Sequence, residues 1–303
     1  MSQSSEASIT RDAGDTSSIG LLCDVFKLRI GLAIGLAALS GVAIAPGQAP
    51  STPRIVLLIA GVTLTSAAAG AFNQYVERDL DAQMRRTRDR VFVTGRFTPG
   101  TEWLVAICVL AFTGVALVAF AGNAASATYT LLGALTYSVV YTLWLKRRTR
   151  WNVVVGGLAG SFAVLAGAAA VTPVQLTALP LTFAFVLFLW TPPHFWSLAI
   201  AYRDDYAAAN VPMLPVVVGN ARAARAVLAG AGLLTAVSIL PAVLGMGWLY
   251  LAGAILGGAN FLARSVQLAR TPCRRTAMAS FHASLVQLVV LLLAAIVDGA
   301  LRG

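Results

Sequence analysis

An all-α, polytopic membrane protein is the fold class this sequence predicts, with about nine transmembrane helices around a central cavity open to the cytoplasmic side. Three observations carry that expectation. Of 303 residues, 58% are hydrophobic and only 11% charged, with a mean hydropathy of +0.79, whereas a soluble domain averages about 25% charged residues. Apolar runs of about 20 residues, enough to cross the hydrocarbon core, recur along the whole chain. Period-2 alternation bounded by turn residues, the mark of strands, is absent.

Residues 1–23 open MSQSSEASITRDAGDTSSIG, polar and Ser-rich, and read as a disordered cytoplasmic tail. They lack the basic stretch and short apolar core of a signal peptide, and Glu6, Asp12 and Asp15 argue against a transit peptide. Residues 24–303 then form a single transmembrane domain. Spans are expected at 28–46, 55–76, 102–121, 125–145, 153–172, 178–201, 223–243, 246–264 and 280–300. The intervening loops alternate between two sides. One side collects 20 of the 22 lysines and arginines, and the other has only Arg54 and Arg302. The positive-inside rule therefore places the N-terminus in the cytoplasm and the C-terminus outside, as in a bacterial-type inner membrane. The net charge of +10 is mostly topology, and no nucleic-acid partner is implied. Cys23, Cys108 and Cys273 are too scattered for a metal site or a disulfide framework. Runs such as Ser66-Ala67-Ala68-Ala69-Gly70 and Gly156-Gly157-Leu158-Ala159-Gly160 suit close helix packing in lipid.

The twelve acids are more informative. Glu77, Asp79, Asp81 and Asp89 follow the second span, and Asp204 and Asp205 follow the sixth. Both groups face the same compartment four spans apart, which hints at an internal duplication. On a helix Asn73, Glu77 and Asp81 lie at i, i+4 and i+8, within about 80° of one another, while Asp79 points roughly 200° away. One amide and two carboxylates at a membrane interface suit Mg²⁺, a hard cation that keeps waters and bridges to phosphates. A solvated helix end pairing with nearby arginines is the plainer reading. Charge at the membrane boundary is costly, however, and a second acidic group faces the same way.

The sixth span, LTFAFVLFLWTPPHFWSLAIAYRDDY, is expected to break at Pro192-Pro193, where two N–H groups are missing. His194 follows at once, one of only two histidines. On a continuous helix it would share one line with Asp205, roughly 16 Å away, both facing one cavity. A satisfied core histidine is the alternative, and for His282 it is the expected one. Lys146 and Arg147 close the fourth span; orientation alone would explain them, yet beside two acidic groups they also suit a diphosphate. Acids, a basic pair and a greasy cleft on one side fit ionisation of a phosphate ester with an apolar tail. Cations would neutralise the leaving diphosphate, and the cleft would shield a carbocation from water.

At these residues the chain resembles a known family. The Asn73–Glu77–Asp81 file is similar to the first motif of the UbiA-type intramembrane prenyltransferases. More narrowly, NQYVERDLDAQMRRTRDR, YTLWLKRRTRWNVVVGG and WTPPHFWSLAIAYRDDYAAANVPMLPVV resemble the protohaem IX farnesyltransferase (haem O synthase) branch, from about residue 24 to the C-terminus. That resemblance implies transfer of the farnesyl group of farnesyl diphosphate to a vinyl group of haem b. Water adds to give haem O, which serves terminal oxidases directly or through a haem A synthase. It implies Asn73, Glu77 and Asp81 as Mg²⁺–diphosphate ligands with Asp204 or Asp205, and Arg86, Arg90, Lys146 and Arg147 on diphosphate oxygens. His194 would face the porphyrin as iron ligand or proton shuttle, with Trp196 beside it. Two departures stand out. Glu77 replaces a frequent Asp, and Lys27-Leu28-Arg29 replaces Lys-Pro-Arg. Prenylation of a quinone precursor or chlorophyllide shares the same clamp. A transporter would instead need mid-membrane charge reachable from both faces.

Overall fold

The computed structural model describes residues 18–173 and 176–302, and among these there is no strand. Most of the expected tail lies outside the described residues. Helix α1 (Ser18–Val25) begins inside the stretch assigned to it. There follow α2 (Leu28–Ile44), α3 (Thr52–Val76), α4 (Arg78–Gln83), α5 (Thr101–Ala121) and α6 (Ala124–Leu135), which runs into a π-helical segment, Thr136–Leu145. Next come α7 (Asn152–Gly156), α8 (Leu158–Val171), α9 (Ala178–Ala201), α10 (Arg203–Ala208) and α11 (Leu214–Val218). The chain ends with α12 (Asn220–Val237), α13 (Leu240–Val243), α14 (Trp248–Arg270) and α15 (Arg274–Ala300).

Seven helical segments among the described residues are long and apolar enough to cross a membrane. Two further apolar segments stand where spans are expected. One is α2, only 17 residues long. The other, 124–145, is divided between α6 and the π-helical segment. Local chemistry sets the ends. The Asn123 side chain accepts the Ser126 N–H at 2.9 Å to cap α6, and Pro53 opens α3 where its missing N–H costs nothing. Asp298, isolated in sequence, accepts the Gly247 N–H at 2.7 Å and so caps α14 from the end of α15.

Large apolar side chains such as Phe112, Phe120 and Trp248 face outward, as lipid-exposed spans require. Inside, small residues let backbones meet. A Cβ on Gly41 of α2 would run into the Val164 carbonyl of α8, and one on Gly167 of α8 into the Ala38 carbonyl. Gly156 lies against the Tyr141 ring and Gly70 against the Lys27 stem, whereas Gly160 faces open space and packs nothing.

The expected break at Pro192-Pro193 does not occur: α9 runs unbroken through both prolines. In a bundle interior, hydroxyls and neighbouring helices offset what proline removes. The Thr191 hydroxyl donates to the Leu187 carbonyl at 3.2 Å, and Ser197 to the Pro193 carbonyl at 2.8 Å. Gly230 of α12 lets the Pro193 ring approach closely. The helix bends out of register later, at Tyr202, with φ −122° and ψ 31°. His194 and Asp205 therefore do not share one helical line.

Candidate prenyl-diphosphate site

The file survives a similar break. Helix α3 stops at Val76, and Glu77 takes φ −92° and ψ 9° before α4 starts. The Glu77 N–H still reaches the Asn73 carbonyl at 3.0 Å, and the Asp81 N–H the Glu77 carbonyl at 2.8 Å. The i, i+4, i+8 alignment is thus kept, and Asn73, Glu77 and Asp81 are each no more than 3% exposed. Three cations from three other segments meet them. Lys27 Nζ donates to Asn73 Oδ1 at 2.6 Å, Lys146 Nζ pairs with Glu77 Oε2, and Arg90 donates to Asp81 Oδ2 at 2.6 Å. Glu77 Oε1 and Asp81 Oδ1 remain buried without a hydrogen-bond partner. Two unpaired carboxylate oxygens in one buried file are what a hard cation would take. Among the described residues no three acids, histidines or cysteines are grouped closely enough to hold a metal unaided. The donor set fits Mg²⁺ only with waters and phosphate oxygens completing its shell.

The other expected residues divide. Asp79, on the opposite face, forms an exposed bidentate pair with Arg147 at 2.9 and 3.0 Å, so Arg147 stands outside the buried cluster. That guanidinium, through its hydrogen bond, holds the Asp79 carboxyl below the usual range. Asp205 is buried, accepting Arg85 Nε at 3.0 Å and the Arg86 N–H at 3.2 Å. It thereby fastens the loop that delivers Arg90. Asp204 is exposed, as its place on the outer side of α10 dictates. The Arg86 guanidinium rests over the Tyr202 ring, 5.8 Å from its centroid, rather than beside the file.

Sequence reasoning missed Lys27, Arg85, Tyr137 and Thr142. Lys27 takes a left-handed backbone, φ 47°, just before α2. Burial first, and then Arg90, pushes its ammonium down to about 7. Its Lys27-Leu28-Arg29 context was visible, but its contact 46 residues away was not. Tyr137 accepts from Lys27 at 3.2 Å and stacks on Tyr141 at 5.7 Å, while Thr142 accepts from Asn73 Nδ2 at 3.1 Å. At nine residues' separation an α-helix would set Tyr137 and Lys146 on opposite faces. A π-helix, with i→i+5 bonds and about 4.4 residues per turn, brings them to one. The Lys146 N–H to Tyr141 carbonyl bond, 2.9 Å, has that i→i+5 form.

Behind Lys27 a cavity of about 90 Å³ runs between α2, α3, α6 with its π-helical extension, and α8, bordered by Ile34, Val62, Ala69, Gly133, Tyr137 and Ala163. It is apolar with one cationic end. His194 does not line it. That histidine is buried, with Trp190 stacked at 4.1 Å and Phe281 at 4.5 Å. Trp196 packs instead in a separate cluster with Leu80, Met84 and Tyr206. Two residues apart on a helix means about 200° of rotation, so His194 and Trp196 do not form one wall. His282 is exposed.

A helical membrane bundle with a buried Asn–Glu–Asp file beside an apolar cavity is the architecture of an intramembrane transferase acting on a lipid-tailed diphosphate. The chain belongs to the UbiA prenyltransferase family, whose model matches residues 34–291. It is 53% identical over 288 residues to protoheme IX farnesyltransferase 2 of Paramagnetospirillum magneticum, covering 95% of this chain and 100% of that protein. Protoheme IX farnesyltransferase 1 of the same organism is 46% identical, with 91% and 96% covered. In fold, it matches a digeranylgeranylglyceryl phosphate synthase structure with TM-score 0.74 at 16% identity, covering 93% and 98%. A UbiA homologue from Archaeoglobus fulgidus, solved with DMAPP and Mg²⁺, matches with TM-score 0.67 at 16% identity, covering 89% and 98%.

Proposed function

We propose that this protein transfers the farnesyl group of farnesyl diphosphate to a vinyl group of haem b, giving haem O and diphosphate. The observation that carries the reading is full-length similarity to farnesyltransferases acting on protohaem, joined to a buried carboxylate file with two unpartnered oxygens. In the reaction the C1–O bond of the prenyl diphosphate breaks and its electron pair leaves with diphosphate. The vinyl carbon attacks C1, and water adds at the resulting cation beside the porphyrin and loses a proton.

Asn73, Glu77 and Asp81 hold Mg²⁺ and diphosphate, with Asp205 supporting them through the arginine loop. The metal supplies neutralisation of the charge that develops on the leaving group. Arg90, Lys146 and Lys27 turn from the file to diphosphate oxygens, and the apolar cavity behind Lys27 takes the tail and excludes water. His194 serves the porphyrin end. The excess of basic residues in alternate loops supports an N-terminus in the cytoplasm and a C-terminus outside, with this site on the cytoplasmic side. A haem A synthase is the partner that would consume the product.

Purified protein in detergent, given haem b, farnesyl diphosphate and Mg²⁺, should yield haem carrying a hydroxyethylfarnesyl group by mass spectrometry. A chelator should abolish it, and Glu77→Gln should lower turnover about 100-fold, as removal of a group that stabilises developing charge does. Turnover only with a phenolic acceptor would keep the clamp and discard haem. No transfer to any acceptor by folded protein would overturn the reading.

A further inference from the structure

The hydrogen bonds around His194 assign its tautomer. Ser284 of α15 has a single hydroxyl hydrogen, and its Oγ lies 2.6 Å from the Phe281 carbonyl oxygen, an atom that can only accept. The hydrogen is therefore committed there. Toward His194 Nδ1, 2.7 Å away, Ser284 Oγ is left as acceptor, so Nδ1 must carry the ring hydrogen. In the neutral imidazole Nε2 is then an unprotonated electron-pair donor. Among the described residues nothing hydrogen-bonds it.

The ring is also held in place. Trp190 stacks at 4.1 Å and 21°, Phe281 at 4.5 Å and 25°, and Phe195 meets its edge at 5.0 Å. Trp190 Nε1 donates to the Ser284 carbonyl at 2.8 Å, so the serine, the histidine and one stacking ring are tied together across α9 and α15. Turning the ring over would set a carbon against Ser284 Oγ and forfeit the bond.

We infer that Ser284 is a positioning residue: it holds His194 as the Nδ1–H tautomer and keeps the Nε2 electron pair free to face an acidic partner. Resting on the haem reading above, that partner is either the water that adds beside the porphyrin or the haem iron. With water, one O–H bond breaks, its proton passes to Nε2, and the oxygen's pair forms the new C–O bond. With iron, Nε2 supplies a ligand pair. Both need the same tautomer, and the Nε2–H form serves neither.

The chain has only two histidines, and His282 is exposed, so His282→Gln leaves one imidazole to observe. In ¹⁵N-histidine-labelled protein of this background, Nδ1 should show the directly bonded hydrogen and Nε2 should appear unprotonated. A hydrogen on Nε2 overturns the inference without any change at Ser284. Ser284→Ala should mix the tautomers and lower kcat about tenfold, the scale of one lost hydrogen bond, while Ser284→Thr restores both. Wild-type tautomer and kcat in Ser284→Ala, with turnover lost in His194→Ala, would overturn the positioning role. With haem b bound, a Soret band altered by His194→Ala identifies iron as the partner. An unaltered band with lost turnover identifies water, and neither effect overturns the assignment. Failure of the wild type to farnesylate haem would strike the proposed function alone, because the tautomer is read without substrate.

Discussion

Glu77 and Asp81 are carboxylates in near-dry surroundings, and each keeps one oxygen paired and one bare. Leaving either charge without its cation would cost roughly 3–5 kcal/mol, so Lys146 and Arg90 hold the file together when no substrate is present. Lys27 does the same for the Asn73 amide and also stands at the cavity's end. In the proposed function, Lys146, Arg90 and Lys27 would exchange these contacts for charge-assisted ones to diphosphate oxygens. Lys27→Met should accordingly raise KM for farnesyl diphosphate about tenfold, from loss of one such bond, measured by initial rates at saturating haem b. Asp79→Asn is the contrasting change. Its pair with Arg147 is about half exposed on both sides, and such pairs contribute at most about 1 kcal/mol. Its depressed carboxyl gives stability above its unfolded value that is lost as pH falls through the folded one. Turnover at pH 7 should stay within about twofold of wild type, and a larger loss would mean that this face also meets substrate.

Two elements depart from regular α geometry beside the acidic groups. Helices α3 and α9 each stop at a residue in a bridge-like conformation, Glu77 or Tyr202, and each is followed by a six-residue helix carrying acids. The duplication hinted at by the acid positions is thus matched by backbone form. The π-helical segment is the second departure, and ten residues is long for one. Its wider turn aims Tyr137, Thr142 and Lys146 at the Asn73–Glu77 side. Helix packing around these elements relies on bare backbone contacts. Gly167→Val in α8 would push a branched side chain into the Ala38 carbonyl of α2, and overpacking of this kind costs about 1–3 kcal/mol. Thermal unfolding in detergent should show a clearly lower Tm, whereas Gly160→Ala, which meets nothing within 4 Å, should leave it unchanged.

At the scale of the whole molecule, the bundle places an apolar cavity against a charged end, and the loop charges support the proposal that this end faces the cytoplasm. Cys273 tests this. It is exposed at the start of α15, and the Thr276 hydroxyl beside it holds the thiol below its usual range, which favours the reactive thiolate. With Cys23 and Cys108 changed to serine, a membrane-impermeant maleimide should label Cys273 in inverted inner-membrane vesicles and not from the outer face. The opposite pattern would invert the topology.

Membrane character, the helical class, the places of the apolar segments and the Asn73–Glu77–Asp81 file were all legible in the sequence. They depend on composition and short-range periodicity, which lipid enforces segment by segment. What only the tertiary structure decided depends on contacts between distant segments. Lys27 reaches Asn73 across 46 residues, and Asp205 serves the arginine loop across 120. The prolines of α9 are absorbed because Thr191, Ser197 and Gly230 surround them, and α-helical periodicity gives no warning of a π-helical turn. His194 was singled out for its position after two prolines. Its tautomer, though, comes from a serine 90 residues away, because a hydrogen-bond direction is set by the partner's remaining valence and not by its place in the chain.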